Sequence, residues 1–278
     1  MLELLAAGHL KKMNTEHTPE QVCYQLPLDD QLLNLNDRVG QSLRLQYVGD
    51  IHCSHCGRKT KKSFAQGHCY PCMQKLASCD SCIMSPERCH YAAGTCREPE
   101  WGESFCMTDH IVYLANSSGI KVGITRVSQV PTRWMDQGAV AALPIMRVAT
   151  RQLSGLVEVL FKEHVADKTN WRTMLKGEVK ECDLVAEADR LFELVEPGLK
   201  TLRAEHGDLA LLRLDETEEW TFDYPVLEYP KKVASHNFDK DPVVEGVLQG
   251  IKGQYLIFDT GVINIRKFGS YHIEVYGE

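Results

Sequence analysis

The cysteine spacing constrains this chain more than any other feature. Eight of its 11 cysteines fall between residues 53 and 96. That stretch holds few large aliphatic residues, so burial of apolar surface alone cannot stabilise a fold there. We therefore expect bound metal to supply the missing folding free energy.

The first four cysteines of this block have the spacing of a zinc ribbon. Cys53-x2-Cys56 and Cys69-x2-Cys72 are separated by twelve residues. Each pair presents two thiolates to one ion, so the two pairs are expected to complete a tetrahedral zinc site. Four thiolates leave no open coordination position, which favours a structural ion over a catalytic one. The basic residues between the pairs offset the negative charge of the site and are available to phosphate; they are Arg58, Lys59, Lys61 and Lys62.

A second zinc ion is expected from the cysteines that follow, with its ligand set left open. The candidates are Cys79, Cys82, Cys89 and Cys96, with His90 and Cys106 as competing ligands. Disulfides and an iron–sulfur cluster are the alternatives to zinc for both cysteine sites. The sequence lacks an apolar run of about 18 residues and a recognisable secretory signal, which predicts a reducing, cytoplasmic location and no membrane association.

The sequence predicts an α+β, multidomain architecture with four parts. Residues 1–50 are expected to form a β segment and residues 51–108 the Cys-rich, zinc-binding block. Residues 109–205 are expected to form a small α/β domain with a helical extension, and residues 206–278 an acidic linker and a small β domain. Both ends are β-rich, and whether they pair into one discontinuous unit is open.

The central part has a clear succession of elements. The predicted elements are a hairpin over 111–115 and 120–125, a short helix between Pro131 and Gly138, a third strand over 143–148, and two amphipathic helices over 153–165 and 184–195. Pro197-Gly198 is expected to end the second of these helices, because proline lacks the backbone donor that a helix interior needs.

Four motifs in this segment occur in the order and approximate spacing of a known nuclease domain. They are Val112-Tyr113, Lys121-Val122-Gly123-Ile124-Thr125, Arg133 and Glu158. Over residues 110–170 the chain resembles the GIY-YIG family, whose members cleave phosphodiester bonds. Lys121 stands at the second tyrosine position of that family, where phage-type relatives also carry lysine.

The resemblance implies a role for each of these side chains. Tyr113 would help to activate water, Arg133 would stabilise phosphate charge, and Glu158 would bind one Mg²⁺ or Mn²⁺ ion, with Asn170 near the site. Phosphoryl transfer needs such a set, because charge builds on the phosphate oxygens and a nucleophile must be positioned. Lys121 is suited to contact phosphate or, if desolvated, to assist a proton transfer.

The chain also resembles, over its whole length, an uncharacterised bacterial family of unknown function. The Cys-rich block carries this resemblance together with residues 121–126, 133–139 and 250–257. The resemblance implies no activity.

The distribution of charge favours nucleic acid as a partner of the middle of the chain. Residues 51–150 hold 11 Lys/Arg and 7 Asp/Glu, whereas residues 201–250 hold 5 and 11, within a total net charge of −7. We therefore expect a zinc-stabilised protein that binds or processes DNA or RNA, and a metal-dependent endonuclease activity is one form of it. The alternative is a non-catalytic, zinc-dependent interaction or scaffold module, and the acidic C-terminal half is a candidate surface for a protein partner.

Overall fold

The computed structural model describes residues 2–278, which form an α+β fold with helices set between mostly antiparallel strands. The strands are β1 (Glu3–His9), β2 (Asn14–His17), β3 (Val22–Leu28), β4 (Gln31–Asn34), β5 (Ser42–Ile51), β6 (His110–Asn116), β7 (Ile120–Arg126), β8 (Ala141–Val148), β9 (Leu211–Arg213), β10 (Trp220–Thr221), β11 (Val243–Lys252), β12 (Tyr255–Phe258), β13 (Gly261–Asn264) and β14 (Tyr271–Gly277). The helices are α1 (Tyr70–Lys75), α2 (Pro99–Phe105), α3 (Thr132–Asp136), α4 (Arg151–Phe161), α5 (Trp171–Leu175) and α6 (Leu184–His206). The predicted α+β class is confirmed.

The two ends of the chain pair in one six-stranded sheet, hereafter the terminal sheet. Its strand order is β1-β14-β5-β11-β12-β13. Strand β5 alternates buried Leu43 and Leu45 with more exposed residues, which is the period of a sheet with one face on a core. The pairing of the two ends, which the sequence left open, is thus observed. A separate sheet of β2, β3 and β4 packs nearby through the same core.

The central sheet has β6 between β7 and β8, with β10 and β9 along β8. Strand β6 is buried along its whole length because both faces of the sheet are covered. Tyr113 and Ala115 belong to the core shared with the terminal sheet, whereas Val112 and Leu114 belong to a second core that α4 and α6 complete. The alternation of successive side chains across a strand explains this division.

The predicted hairpin, short helix and third strand are all present, but two helix ends differ from expectation. The first amphipathic helix ends at Phe161, and the amides of His164 and Val165 close a turn on the Phe161 carbonyl at 3.0 and 3.1 Å. The predicted stop at Pro197-Gly198 is wrong, because α6 continues to His206.

The continuation of α6 has a packing reason. Val195 and Leu199, on either side of the proline, are both buried. The apolar face of α6 therefore continues past Pro197, although this residue cannot donate a backbone hydrogen bond. A Cβ on Gly198 would lie 2.7 Å from Leu160 Cδ2, so this glycine lets α6 approach α4 closely. Gly198 therefore permits the close crossing of α4 and α6 and does not end α6.

The Cys-rich block packs against α4 of the central part. Its turn over Pro86–Arg88 lies against Gly155, where a Cβ would be 2.5 Å from the Glu87 amide nitrogen. This close backbone approach fixes the block beside the central sheet. Within residues 2–278, no helix combines the length and the apolar character needed to cross a membrane.

Candidate metal centre and cationic cleft

Four cysteine thiols form a compact group at the start of the Cys-rich block. The sulfur atoms of Cys53, Cys56, Cys69 and Cys72 all lie within 4.8 Å of one another. Cys56 Sγ and Cys69 Sγ are 3.8 Å apart. A tetrahedral site with metal–sulfur bonds of about 2.3 Å has edges of roughly 3.8 Å, so the group could hold one zinc ion.

Tight turns bring these thiols together. The Gly57 amide donates to the Cys53 carbonyl at 2.9 Å, and Gly57 has a φ of +70°, a conformation that suits glycine. Burial acts to raise the pKa of the Cys53 thiol, but backbone amides at Cys69, Cys56 and His55 outweigh it and lower that pKa to about 6. A lowered pKa favours the thiolate, which is the form that binds metal.

The remaining cysteines of the block do not all lie together, although they follow one another in the sequence. Cys79 packs against the first thiol group. Cys82, Cys89 and Cys96 instead line a separate small cavity together with Cys106. Cys79 and Cys82 separate because they belong to two successive 3₁₀ turns, over Ala77–Cys79 and Ser81–Ile83.

A cleft of about 540 Å³ lies between the Cys-rich block and the central sheet. The four residues singled out by sequence all line it: Tyr113 on β6, Lys121 on β7, Arg133 on α3 and Glu158 on α4. Asn170 has a different place, since its Oδ1 caps α5 by accepting from the amides of Arg172 and Thr173 at 3.2 and 3.3 Å.

Gln137 joins two of these side chains. The Tyr113 hydroxyl donates to Gln137 Oε1 at 3.1 Å, and Lys121 Nζ donates to the same oxygen. Sequence analysis did not single out Gln137, although its position four residues after Arg133 places both on one side of a helical turn. Gly123 makes room for the tyrosine, because a Cβ there would lie 2.6 Å from the Tyr113 hydroxyl oxygen.

Burial shifts the pKa values of the groups at the floor of the cleft. Burial, followed by the nearby Arg133 charge, lowers the pKa of Lys121 to about 7. Burial also raises the pKa of Tyr113, against the opposing effect of Arg133. The pKa of Glu158 is raised by burial first and by the Asp167 carboxylate second. Among these groups, Lys121 is therefore the one whose pKa is close to neutral pH.

The cleft carries a surplus of positive charge. Its lining includes seven Lys/Arg residues and three Asp/Glu residues, a difference of four. The residues that sequence analysis did not single out are Lys12, Arg126, Arg151, Lys168 and Arg266 among the cations and Asp136 and Asp167 among the acids. Lys12 and Asp136 pair at 2.7 Å, so the remaining cations dominate the field in the cleft.

Aromatic side chains form the wall contributed by the Cys-rich block. The rings of Trp101 and Phe105 on α2 stack with centroids 4.5 Å apart and planes 7° from parallel. The Arg126 guanidinium lies 4.4 Å from the centre of the Phe105 ring. Stacked rings beside cations are the elements with which proteins bind single-stranded nucleic acid.

Two of the basic residues between Cys56 and Cys69 have other contacts. Lys59 forms an ion pair with Asp50 on β5. Lys62 Nζ lies 5.4 Å from the centre of the Phe64 ring. Neither lysine lines the cleft, which holds all four residues singled out by sequence.

Comparison with known proteins gives a family but no activity. The family model described as Protein of unknown function (DUF2797) matches residues 40–273. No curated protein and no solved structure matches the chain. The matched range contains both the thiol groups and the cleft residues from Ser78 to Arg266, whereas Lys12 lies outside it.

Proposed function

The chain belongs to the DUF2797 family, whose description assigns no function, and from the chemistry of the cleft we propose that it binds nucleic acid and hydrolyses a phosphodiester bond there. The observation that carries the proposal is the presence of Tyr113, Lys121, Arg133 and Glu158 in one cationic cleft. These are the residues that the GIY-YIG resemblance selects. Zinc bound by the four clustered cysteines would be structural in this protein.

Phosphate binding follows from the charge of the cleft. Arg133 and Arg126 are suited to contact phosphate oxygens, because guanidinium groups bind them with two donors at once. Bases would stack on Trp101 and Phe105, which tolerate any base. Binding should weaken steeply as salt concentration rises, because each phosphate contact releases a counterion.

The pKa shifts of Lys121 and Tyr113 support one route for the proton transfer. Lys121, with a pKa of about 7, is substantially neutral at physiological pH and can accept a proton from an attacking water. The water oxygen bonds to phosphorus, the bond to the leaving nucleotide oxygen breaks, and the proton of the water passes to Lys121 Nζ. The leaving oxygen takes a proton from solvent water. Tyr113 keeps its own proton because its pKa is raised, so its role is to hold Gln137 and through it Lys121.

The carboxylates of the cleft suit a hard divalent cation. Glu158 and Asp167 both line it, and the Asp167 charge raises the pKa of Glu158. Carboxylate oxygens are ligands that Mg²⁺ and Mn²⁺ prefer in proteins. When bound, such an ion polarises a phosphoryl oxygen. Arg133 would then share the charge that develops on the phosphate.

A non-catalytic module that binds nucleic acid is the second candidate. One observation favours it: Tyr113 is 0% exposed and Lys121 only 4% exposed. Both donors also point to Gln137, so a substrate would have to displace that amide before reaching them. The zinc centre and the cationic cleft serve this alternative equally well.

Glu158→Gln tests the proposal against that alternative. The variant keeps the size of the side chain and removes its charge, so we expect it to abolish cleavage of single- or double-stranded DNA or RNA while binding persists. Glu163→Gln, the same change at an exposed position just beyond the end of α4, is the matched control and should retain activity. Arg133→Ala should lower the rate by roughly 10²- to 10³-fold.

Two results would reject parts of the proposal. Wild-type protein that binds a nucleic acid but leaves it intact with either Mg²⁺ or Mn²⁺ would reject hydrolysis and leave the binding module. Wild-type protein that binds none of the four nucleic acids at low salt would reject both candidates.

A further inference from the structure

The size of the cleft limits what can enter it. Its volume of about 540 Å³ lies in the range of pockets that enclose one drug-sized molecule. A nucleic-acid duplex is too wide for such a space, since the major groove of B-DNA alone is about 12 Å across. A single strand, in contrast, can enter one nucleotide at a time.

The groups that would act on phosphate lie at the bottom of this cleft. Tyr113 and Lys121 are almost wholly buried, and Glu158 is half-buried. Duplex DNA is stiff, with a persistence length of about 150 base pairs, so its backbone does not bend into a small recess without a large cost. A phosphate that reaches these groups is therefore expected to belong to a flexible, unpaired strand.

The aromatic wall of the cleft offers a stacking surface. The Trp101 ring stacks on Phe105, and the Arg126 guanidinium lies over the Phe105 ring. Both rings are half-buried, and all three side chains line the cleft. A base inside a duplex has both faces covered by its neighbours, whereas an unpaired base can stack on an aromatic ring or on a guanidinium plane. The wall therefore favours unpaired bases.

Several guanidinium groups share the cleft with few acids. Its arginines are Arg126, Arg133, Arg151 and Arg266. Burial is the main cause that lowers the pKa of Arg151 and of Arg266, and the nearby Arg133 charge lowers both further. The cleft holds three carboxylates, of which Asp136 is paired with Lys12 at 2.7 Å. Neighbouring cations of this kind suit an anion that carries several charges along its length, as the backbone of one strand does.

We propose that the cleft takes a single strand of nucleic acid and excludes a duplex, so that the bond cleaved lies in an unpaired segment. This inference rests on the function proposed above. Trp101 and Arg126 would hold a base, while Arg133 and its neighbours Arg151 and Arg266 would hold the phosphates. Unpaired DNA and unpaired RNA present the same bases and phosphates to these groups.

A comparison of paired and unpaired substrates tests the selectivity with the wild-type, full-length chain. Fluorescence anisotropy measures binding to one labelled sequence as a single strand and as a blunt duplex, in DNA and in RNA. We expect at least tenfold tighter binding of the single strand in one or both chemistries. With Mg²⁺ or Mn²⁺, cuts in a duplex that contains an unpaired loop should fall within the loop.

The outcomes separate this inference from the proposed function. Blunt duplex that is bound and cut as well as the single strand would overturn the selectivity and leave the proposed function in place. Tight, selective binding of the single strand without any cleavage would support the selectivity and reject hydrolysis. A chain that binds none of the four nucleic acids would overturn both.

Two variants test the residues assigned to the strand. Trp101→Ala should weaken binding of the single strand roughly tenfold without changing its salt dependence, because an aromatic ring releases no counterion. Arg126→Ala should lower the slope of log affinity against log salt by about one. Unchanged affinity in both variants would reject the assignment. If Trp101→Ala does not fold, Arg126→Ala and the comparison of strand with duplex still decide.

Trp171→Ala is the matched control. Trp171 stacks on Tyr255 with planes 5° from parallel, and the Arg172 guanidinium lies 4.4 Å from the centre of a Trp171 ring. This group has the same chemistry as the aromatic wall but does not line the cleft. Its variant should bind the single strand as the wild type does. An equal loss of affinity in Trp171→Ala and Trp101→Ala would contradict the assignment to the cleft.

Discussion

At the scale of single residues, Lys121 stands in an environment that is unusual for a lysine. Its ammonium group is buried, and its pKa falls to about 7 from an unfolded value of about 10.4. Between these two values the unfolded chain binds more protons than the folded chain, so unfolding becomes less favourable as pH rises through this range. The buried lysine thus lowers stability most at pH 7 and below.

Lys121→Met is therefore expected to stabilise the protein at neutral pH. Methionine fills similar space without a charge, and the gain in the free energy of unfolding should be on the order of a few kcal/mol at pH 7. This gain should become smaller toward pH 10, because Lys121 then loses its proton in the unfolded wild-type chain as well as in the folded one. Urea unfolding of wild type and variant at both pH values measures it. An equal difference at the two pH values would contradict the assigned pKa shift.

Several residues of the cleft could be predicted from the sequence and others could not. Tyr113 and Glu158 belong to local motifs with recognisable spacing. Lys12 and Arg266 come from the two ends of the chain and reach the cleft only through tertiary packing. No local pattern encodes such an approach, because the partner segments are more than a hundred residues away.

At the scale of elements, glycines decide how closely neighbours pack. Gly155 on α4 faces the backbone of the turn over Pro86–Arg88, whereas Gly198 on α6 faces the flexible end of Leu160. The sequence alone presents both as helix-weakening residues. Strands and helix faces could be predicted from the periodicity of the sequence. A glycine at a helix crossing and a glycine at a helix end, however, look alike in a sequence. The predicted helix end at Pro197-Gly198 was wrong for this reason.

Gly155→Ala should destabilise the protein although alanine favours helices. The added Cβ would lie 2.5 Å from the Glu87 nitrogen, a backbone atom that cannot move independently. We expect a loss of about 1–3 kcal/mol in the free energy of unfolding, as for other overpacked sites. Gly198→Ala is the comparison, since Leu160 can rotate away and the helix gains propensity. A stabilising effect of Gly155→Ala in urea unfolding would show that the block does not pack on α4 as described.

At the scale of the molecule, the group of four cysteines at the start of the Cys-rich block is tied to the terminal sheet. The Gly67 carbonyl accepts from the Ser54 amide and from the Ser270 hydroxyl, both at 2.8 Å. The Ser63 hydroxyl donates to the Gly269 carbonyl at 2.8 Å. The turn before β14 is thus hydrogen-bonded to the segment between Cys53 and Cys69. We therefore expect disorder in one of these segments to destabilise the other.

Removal of the zinc ion proposed for these four thiols should accordingly lower the stability of more than the Cys-rich block. Metal binding by four thiolates contributes on the order of 10 kcal/mol to folding. We expect Cys69→Ser, or chelation of the wild-type protein, to lower the melting temperature of the whole chain and to weaken binding of nucleic acid in the cleft. Cys23→Ser, a change at a free thiol on β3, should leave both unchanged. An unaltered melting temperature after verified zinc removal would contradict this coupling.

The arrangement of the terminal sheet also bears on how the protein is made. Strand β5 lies between β14 and β11, and its Ile51 pairs with Tyr271. During translation β5 emerges from the ribosome long before either neighbour exists, and both of its edges stay open for that interval. Newly made chains are then exposed to aggregation, and contacts this distant in sequence form slowly. A chaperone that shields the first fifty residues until the last strands arrive would raise the yield of folded protein.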